Sequence, residues 1–283
     1  MNAPLRVLRL ERLARAAAGA ALAALLVLGA GCRCGCGAGG PGSRLLPPSV
    51  PGKPYVGFYE RVQGFDVWTV DGQYVRENLD EEFTNFGQHL NFKFIPAREL
   101  WLDAENAPGE APFFIAHLLE EHRLMARGLP YDDSLVKADE VERSARLKSG
   151  PGPEGAVLLS SGRTAELIAR IHKTLLSEYS DGVKVWVVDG ELVRDVFFID
   201  FTEGGHDKVY KFIPANEVWI DDDVTPGERK FILLHEMHER ALMSRGWAYA
   251  RAHRDSSRIE FRCRHRPAGL DAALRAEIVK NRS

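Results

Sequence analysis

Residues Phe231–Arg240 read FILLHEMHER. His235 and Glu239 stand four apart, so on a helix they share one face and can reach a single ion. Glu236 follows the first histidine directly, and His238 lies about 60° around the helix from His235, given 3.6 residues per turn. Imidazole and carboxylate together suit zinc, which in catalytic sites takes three protein ligands and leaves one position for water. A carboxylate next to that position takes a proton from the bound water, and Glu236 is placed for this work. The third ligand is sought in His206 or His253. His206 closes the stretch Thr202-Glu-Gly-Gly-His206, whose glycines let the backbone bend and approach closely. Glu260 stands seven residues, two turns, after His253 and serves as a support behind a ligand or as a ligand itself; His238 is the other such alternative. The same residues also fit a polar pair within one helix, His235 with Glu239, closed by Arg240 or Arg264.

Several elements must position these groups. Thr225-Pro-Gly-Glu228 reads as a helix start, with Thr225 as N-cap, proline in the first turn and Glu228 completing a capping box. The helix is expected to run to Gly246, a suitable residue just past a helix end. A second helix, from Tyr249 to about Arg264, follows after a short link, which makes the two antiparallel neighbours. Upstream, VWVV, Asp189-Gly190 and ELVRDV read as a β-hairpin around an Asp-Gly turn. KVYKFIP and EVWI read as two further strands, Pro214 ending the first. Helices are expected at Ala165–Ser177, before the sheet, and at Leu270–Val279, after the core. The unit is thus α+β: an antiparallel β-meander followed by a helical hairpin.

That unit occurs twice. Residues 67–131 align with 185–249 at a constant offset of 118, and about 29 of the 65 positions are identical. The chain reads as a tandem duplication, with a first repeat at 55–148, a linker at 149–162 carrying SGPGPEG, and a second repeat at 163–283. His235 and Glu239 match His117 and Glu121, and Glu260 matches Glu142. By contrast Glu236, His238, His206 and His253 stand opposite Leu118, Glu120, Gln88 and Leu135. Only the second copy has an acid directly after the shared histidine. The working site is therefore expected there, with the first copy a degenerate partner.

The chain has 283 residues, 45% of them hydrophobic and 27% charged, which is a globular composition with room for two small cores. Arg6, Arg9, Arg12 and Arg15 precede a short run of small apolar residues, Ala16–Ala30, the layout of a secretory signal peptide over 1–31. The run is shorter than the roughly 20 apolar residues of a membrane span. Its loss would take away four arginines and one glutamate and move the net charge from −3 to −6. Cys32, Cys34 and Cys36 open a Gly- and Pro-rich tether at 32–54, leaving Cys263 alone in the folded part and no disulfide framework.

Leu28-Gly-Ala-Gly-Cys32 resembles a bacterial lipobox, with Leu28 one place further from the cysteine than the usual pattern. The resemblance implies lipidation of Cys32, a membrane partner through that anchor and a place in the bacterial cell envelope. HEMHE resembles the H-E-x-x-H helix of zincin metallopeptidases, with Glu239 where those have the second histidine. It implies zinc as cofactor, hydrolysis of peptides and Glu236 as general base. The repeat pattern VDGxxVR, FIPxxEVWID and HExHERxLM is similar to that of small phage and bacterial proteins, a resemblance that carries no activity with it.

Other chemistries are excluded or disfavoured. A mildly acidic chain with no basic stripe is a poor nucleic-acid binder. There is no phosphate-binding glycine loop, and Ser256-Ser257 lacks a nucleophile elbow. Asp221-Asp-Asp223 before a helix is explained by the helix dipole and solvation. The sequence thus leads to an envelope-tethered, metal-dependent hydrolase. It also leaves open a non-enzymatic lipoprotein whose two modules bind a protein or cell-wall ligand, and a module that binds metal without catalysis.

Overall fold

The computed structural model describes residues 51–149 and 152–282. The expected leader, Cys32 and the tether up to residue 50 lie outside the described residues. No helix among the described residues is long and apolar enough to cross a membrane.

The fold is mixed α/β and holds two four-stranded sheets. The first has β1 (Tyr55–Val62), β2 (Phe65–Val70), β3 (Phe86–Gln88) and β4 (Glu99–Asp103) in the order β1-β2-β4-β3. The second has β5 (His172–Leu175), β6 (Lys184–Val188), β7 (Gly204–His206) and β8 (Glu217–Asp221) in the order β5-β6-β8-β7. In each, the central pair is parallel and the edge strands are antiparallel. Register also corresponds: Trp68 pairs with Trp101, and Trp186 with Trp219.

The parallel pair corrects the antiparallel meander, and the cause is local. The segment after Asp189 is not the return strand of a hairpin but a helix. Helix α1 (Gly72–Asn78) follows β2, and its counterpart Gly190–Val196, α6 below, follows β6. The Asp189 carboxylate accepts a hydrogen bond from the Leu192 amide at 2.9 Å, as Asp71 does from Tyr74. Asp-Gly is therefore an N-cap and first helical residue rather than a turn. Glycine is needed because a Cβ at Gly190 would stand 2.0 Å from the Asp221 carboxylate. A helix at this point carries the chain across the sheet, so the strand that returns beside β6 runs parallel to it.

Two further differences belong here. KVYKFIP forms turns, with the amides of Tyr210 and Ile213 bonded to the carbonyls of His206 and Tyr210. Its aromatic residues pack on the sheet: Tyr210 and Phe212 lie against the cluster of Val188, Phe201, Ile213 and Trp219. Thr225 does not cap the site helix, which begins at Arg229; its hydroxyl donates to Glu105 at 2.7 Å.

The helices in chain order are α1, α2 (Ala111–Met125), α3 (Tyr131–Ser149), α4 (Gly152–Ser160), α5 (Thr164–Ile171), α6 (Gly190–Val196), α7 (Arg229–Ser244), α8 (Tyr249–His265) and α9 (Leu270–Lys280). Residues expected as a linker thus include α4, whose Leu158 is buried with Leu167, Val193 and Trp219. Helix α5 ends at Ile171, because His172 already belongs to β5. Both faces of the second sheet are covered. On one, Val185, Val218 and Ile220 meet Ile232, Leu233 and Met237 of α7 and Leu274 of α9. On the other, Val188 and Trp219 meet Val193 and Leu167. All five residues of β8 are buried, as expected of a strand sealed on both sides.

The two halves meet through an exchange of buried ions. Arg194 reaches Asp221 and Asp223 of its own half and Glu110 of the other at 2.7 Å. Arg76, 118 positions earlier, reaches Asp103 at 2.7 Å and Glu105 at 2.5 Å in its own half and Glu228 of the other at 3.3 Å. Arg146 and Arg264 complete the pattern on Glu110 and Glu228, each at 2.7 Å. Glu228, expected in a capping box, instead sits fully buried between two guanidinium groups. Asp221 and Asp223 share the one guanidinium of Arg194, while Asp222 meets Lys173 and the Gly190 amide.

Candidate metal centre

On α7 the residues Ile232, His235, Glu236 and Glu239 follow the i, i+3, i+4, i+7 stripe and line one cavity of about 140 Å³. His253 of α8 enters from the antiparallel neighbour, and Tyr249 lines the wall beside it, its ring 5.4 Å from that of His253. The link Gly246-Trp247-Ala248 keeps the two helices adjacent, and Gly246 takes the left-handed φ of +87° that ends α7.

Three donor atoms converge. His235 Nε2 lies 3.1 Å from His253 Nδ1 and 3.7 Å from Glu239 Oε2, and His253 Nδ1 lies 2.9 Å from Glu239 Oε2. Ligands held tetrahedrally at 2.0–2.1 Å stand about 3.3 Å from one another. The triangle has that size.

Two of the three donors are held from behind by hydrogen bonds. His235 Nδ1 is 2.8 Å from Glu260 Oε2, and Glu260 is itself fixed by Arg264 at 2.8 Å. A proton on Nδ1 leaves the Nε2 lone pair free to face the triangle. His253 Nε2 lies 3.8 Å from Glu82, a residue of the first half. Glu239 is oriented through its other oxygen: His206 Nε2 is 3.1 Å from Oε1.

That bond gives His206 a partner on the site helix. Its Nδ1 accepts the Lys208 amide at 3.1 Å, so the ring proton sits on Nε2 and is donated to Glu239. A nitrogen that carries a proton offers no lone pair to an ion. In this arrangement His206 supports Glu239, while His253 stands with His235 and Glu239; His206, Glu236 and Glu239 also lie close enough together to hold an ion. The first half supports this reading, because there Gln88 Nε2 donates to Glu121 Oε1 at 2.8 Å in the same geometry. His238 also differs from its expected role. Three residues past His235 it faces off the site stripe, with Nε2 3.1 Å from Asp255 and Nδ1 2.9 Å from Glu277 of α9.

Burial and charge act together on the protonation of the group. Burial alone would depress the imidazoles, but Glu239 and Glu260 push His235 well above its ordinary value, and Glu239 and Glu82 raise His253 to about 9. Burial would raise the Glu239 carboxyl, yet three histidines hold it well below the usual carboxylate range. Glu236 moves the other way: burial, then the nearby Glu239 charge, raise it.

The corresponding place in the first half keeps the frame and two of the three donors and lacks the third. His117 Nδ1 is 2.9 Å from Glu142, and Nε2 is 3.6 Å from Glu121. Leu118, Leu135 and Phe86 stand where the second half has Glu236, His253 and Gly204. A Cβ at Gly204 would sit 2.9 Å from the Trp219 carbonyl oxygen and 3.1 Å from Ile232, and Glu236 Cγ lies beside it at 3.4 Å. These differences all line the same cavity.

His117 gives a pH prediction free of any ion. Burial lowers it, but Glu121 and Glu142 outweigh that and bring it to about 9, above its unfolded 6.5. A raised histidine contributes stability that is complete below pH 6.5 and lost as pH rises through 9. Urea unfolding at pH 6 and pH 9.5 is expected to differ by on the order of 2–3 kcal/mol more in the parent chain than in His117→Gln. An equal pH dependence in both proteins would refute this.

Glu82, Asn85, Glu203 and Tyr131 complete the cavity and were not among the sequence candidates. Glu82, Asn85 and Tyr131 come from the first half, and no spacing in the chain connects them with α7. Glu203 had a local signal, since it directly precedes Gly204-Gly205-His206. No family model, curated protein or solved structure matches the chain.

Proposed function

We propose that the chain is a metal-dependent hydrolase, zincin-like in its chemistry and acting on peptides, tethered to a bacterial envelope through Cys32. The observation that carries this is the triangle of His235 Nε2, Glu239 Oε2 and His253 Nδ1, with sides of 3.1, 2.9 and 3.7 Å. Two imidazoles and one carboxylate with a cavity in front of them suit zinc with an open position. Glu260 would fix the His235 ring, and His206 the carboxylate. A zinc ion held there supplies a bound water that ionises near neutral pH. Glu236, on the same stripe of α7, would serve as general base and then as acid toward a leaving amine. We also infer that the halves arose by duplication of one unit. Matching strand order, matching register and the reciprocal arginines support this.

Metal content decides the matter. Mass spectrometry of the gel-filtered chain is expected to find about one zinc per molecule. His253→Leu, which installs the first half's residue, should reduce that below about a tenth of an ion while leaving the fold intact. A chain that stays metal-free after zinc is offered overturns the proposal.

A further inference from the structure

Eight carboxylates line the cavity in front of the triangle, and among the described residues no lysine or arginine lines it. A divalent ion would cancel two of these charges. Arg264 on Glu260 and Arg76 on Glu203, 3.3 Å away, offset two more. Burial raises Glu236, and raises Glu203 to about 8, so these two reach full charge only beside a cation, and the raised His117 offsets Glu121; a smaller negative surplus remains. In a recess walled by protein such a surplus focuses outward and draws in cations.

Two independent features point to a ligand. Asn85, from the first half, is 8% exposed and lines this cavity, yet its Nδ2 has no hydrogen-bond partner. Among so many acceptors, an unused buried donor is matched by an acceptor that comes from outside. Glu203, at the position equivalent to Asn85, takes a left-handed φ of +57°. Asparagine tolerates that backbone, but glutamate is strained in it. The strain places a carboxylate in the cavity and against Arg76 of the other half.

Resting on the hydrolase reading, we infer that the substrate is a peptide whose positively charged group enters this cavity, with Glu203 and Glu82 receiving the cation and the Asn85 amide receiving a carbonyl oxygen. A space of about 140 Å³ admits one side chain or one chain end rather than a whole strand. The charge is an ammonium or guanidinium, supplied by a basic side chain or by a free amino terminus. The first half is then part of the site.

Calorimetric titration of the full chain, with its metal content measured in parallel, tests this. The probes are lysyl-alanine amide, its Nα-acetyl derivative, the norleucyl analogue and the glutamyl analogue. The lysyl probe is expected to bind at least about tenfold more tightly than the glutamyl one, with affinity falling as salt rises. Loss on acetylation assigns the cation to the chain end, and loss with norleucine assigns it to the side chain. Glu203→Asn should weaken the lysyl probe about tenfold while unfolding at equal or higher temperature, because it relieves the left-handed glutamate. Glu203→Gln retains that strain and should weaken the probe equally. Equal binding of the four probes, or full binding in both Glu203 variants, would overturn the inference even in a protein that holds its zinc. A metal-free chain that still prefers the lysyl probe would instead sink the hydrolase reading and leave the cation site standing.

Discussion

Glu236→Gln is expected to lower peptide turnover about 10²- to 10⁴-fold, the usual contribution of a positioned general base. Zinc content should stay unchanged, because the triangle of His235, Glu239 and His253 does not include Glu236. Glutamine keeps the shape and the packing against Gly204 while removing the group that accepts a proton. The variant should also be at least as stable as the parent. Burial and the neighbouring Glu239 charge both disfavour ionised Glu236, and the neutral amide escapes that cost. Loss of turnover with metal and stability retained is the signature of a base that was placed for chemistry. Amine release from a mixed peptide pool, read beside metal content and a thermal melt, separates the outcomes. Unchanged turnover would remove Glu236 from the mechanism, and lost zinc would make it a ligand.

The second large effect lies away from the site. Arg194→Ala should destabilise the chain by about 3–5 kcal/mol, because it leaves buried carboxylates without their counter-charge. Asp221 is 1% exposed and loses its guanidinium, as Asp223 does, while Glu110, 2% exposed, keeps Arg146. Against a total stability of about 5–15 kcal/mol such a loss is a large share. Arg194→Lys should not restore it, since one ammonium cannot serve Asp221, Asp223 and Glu110 in a planar fork. Arg194 binds across the halves, so its loss should also loosen the cavity they enclose and weaken the lysyl probe more than it weakens zinc. Urea unfolding of the two variants checks the first part. A cost below about 1 kcal/mol, typical of a solvated ion pair, would refute it.

Much of the second half was legible in the order of residues. The four-residue spacing of His235 and Glu239 places them on one face in any helix, and Gly246 ends that helix because it alone tolerates φ of +87° there. The short link to Tyr249 makes α8 an antiparallel neighbour, so His253 and Glu260 face α7. Repeat comparison singled out Glu236 and His253 against Leu118 and Leu135. Local patterns failed where one signal serves two structures. Asp-Gly opens a helix as readily as it turns a hairpin, and only the close approach of Asp221 to Gly190 decided between them. KVYKFIP alternates as a strand does, but its aromatic side chains pack, partly buried, on the sheet from turns.

Tertiary structure alone gives the histidines different surroundings. His206 and His253 were equal as third ligand by type and distance along the chain. The Lys208 amide on His206 Nδ1 separates them, because a hydrogen bond to one ring nitrogen fixes the proton on the other. His238 fell out of the site because α9, far along the chain, offers it Glu277. The contribution of the first half was beyond reach of any pattern: Glu82, Asn85 and Tyr131 join the cavity only when the reciprocal arginines bring the halves together. Spacing fixes which side chains share a face of one element. Which faces then meet depends on the packing of distant elements and on the buried charges that must find partners there.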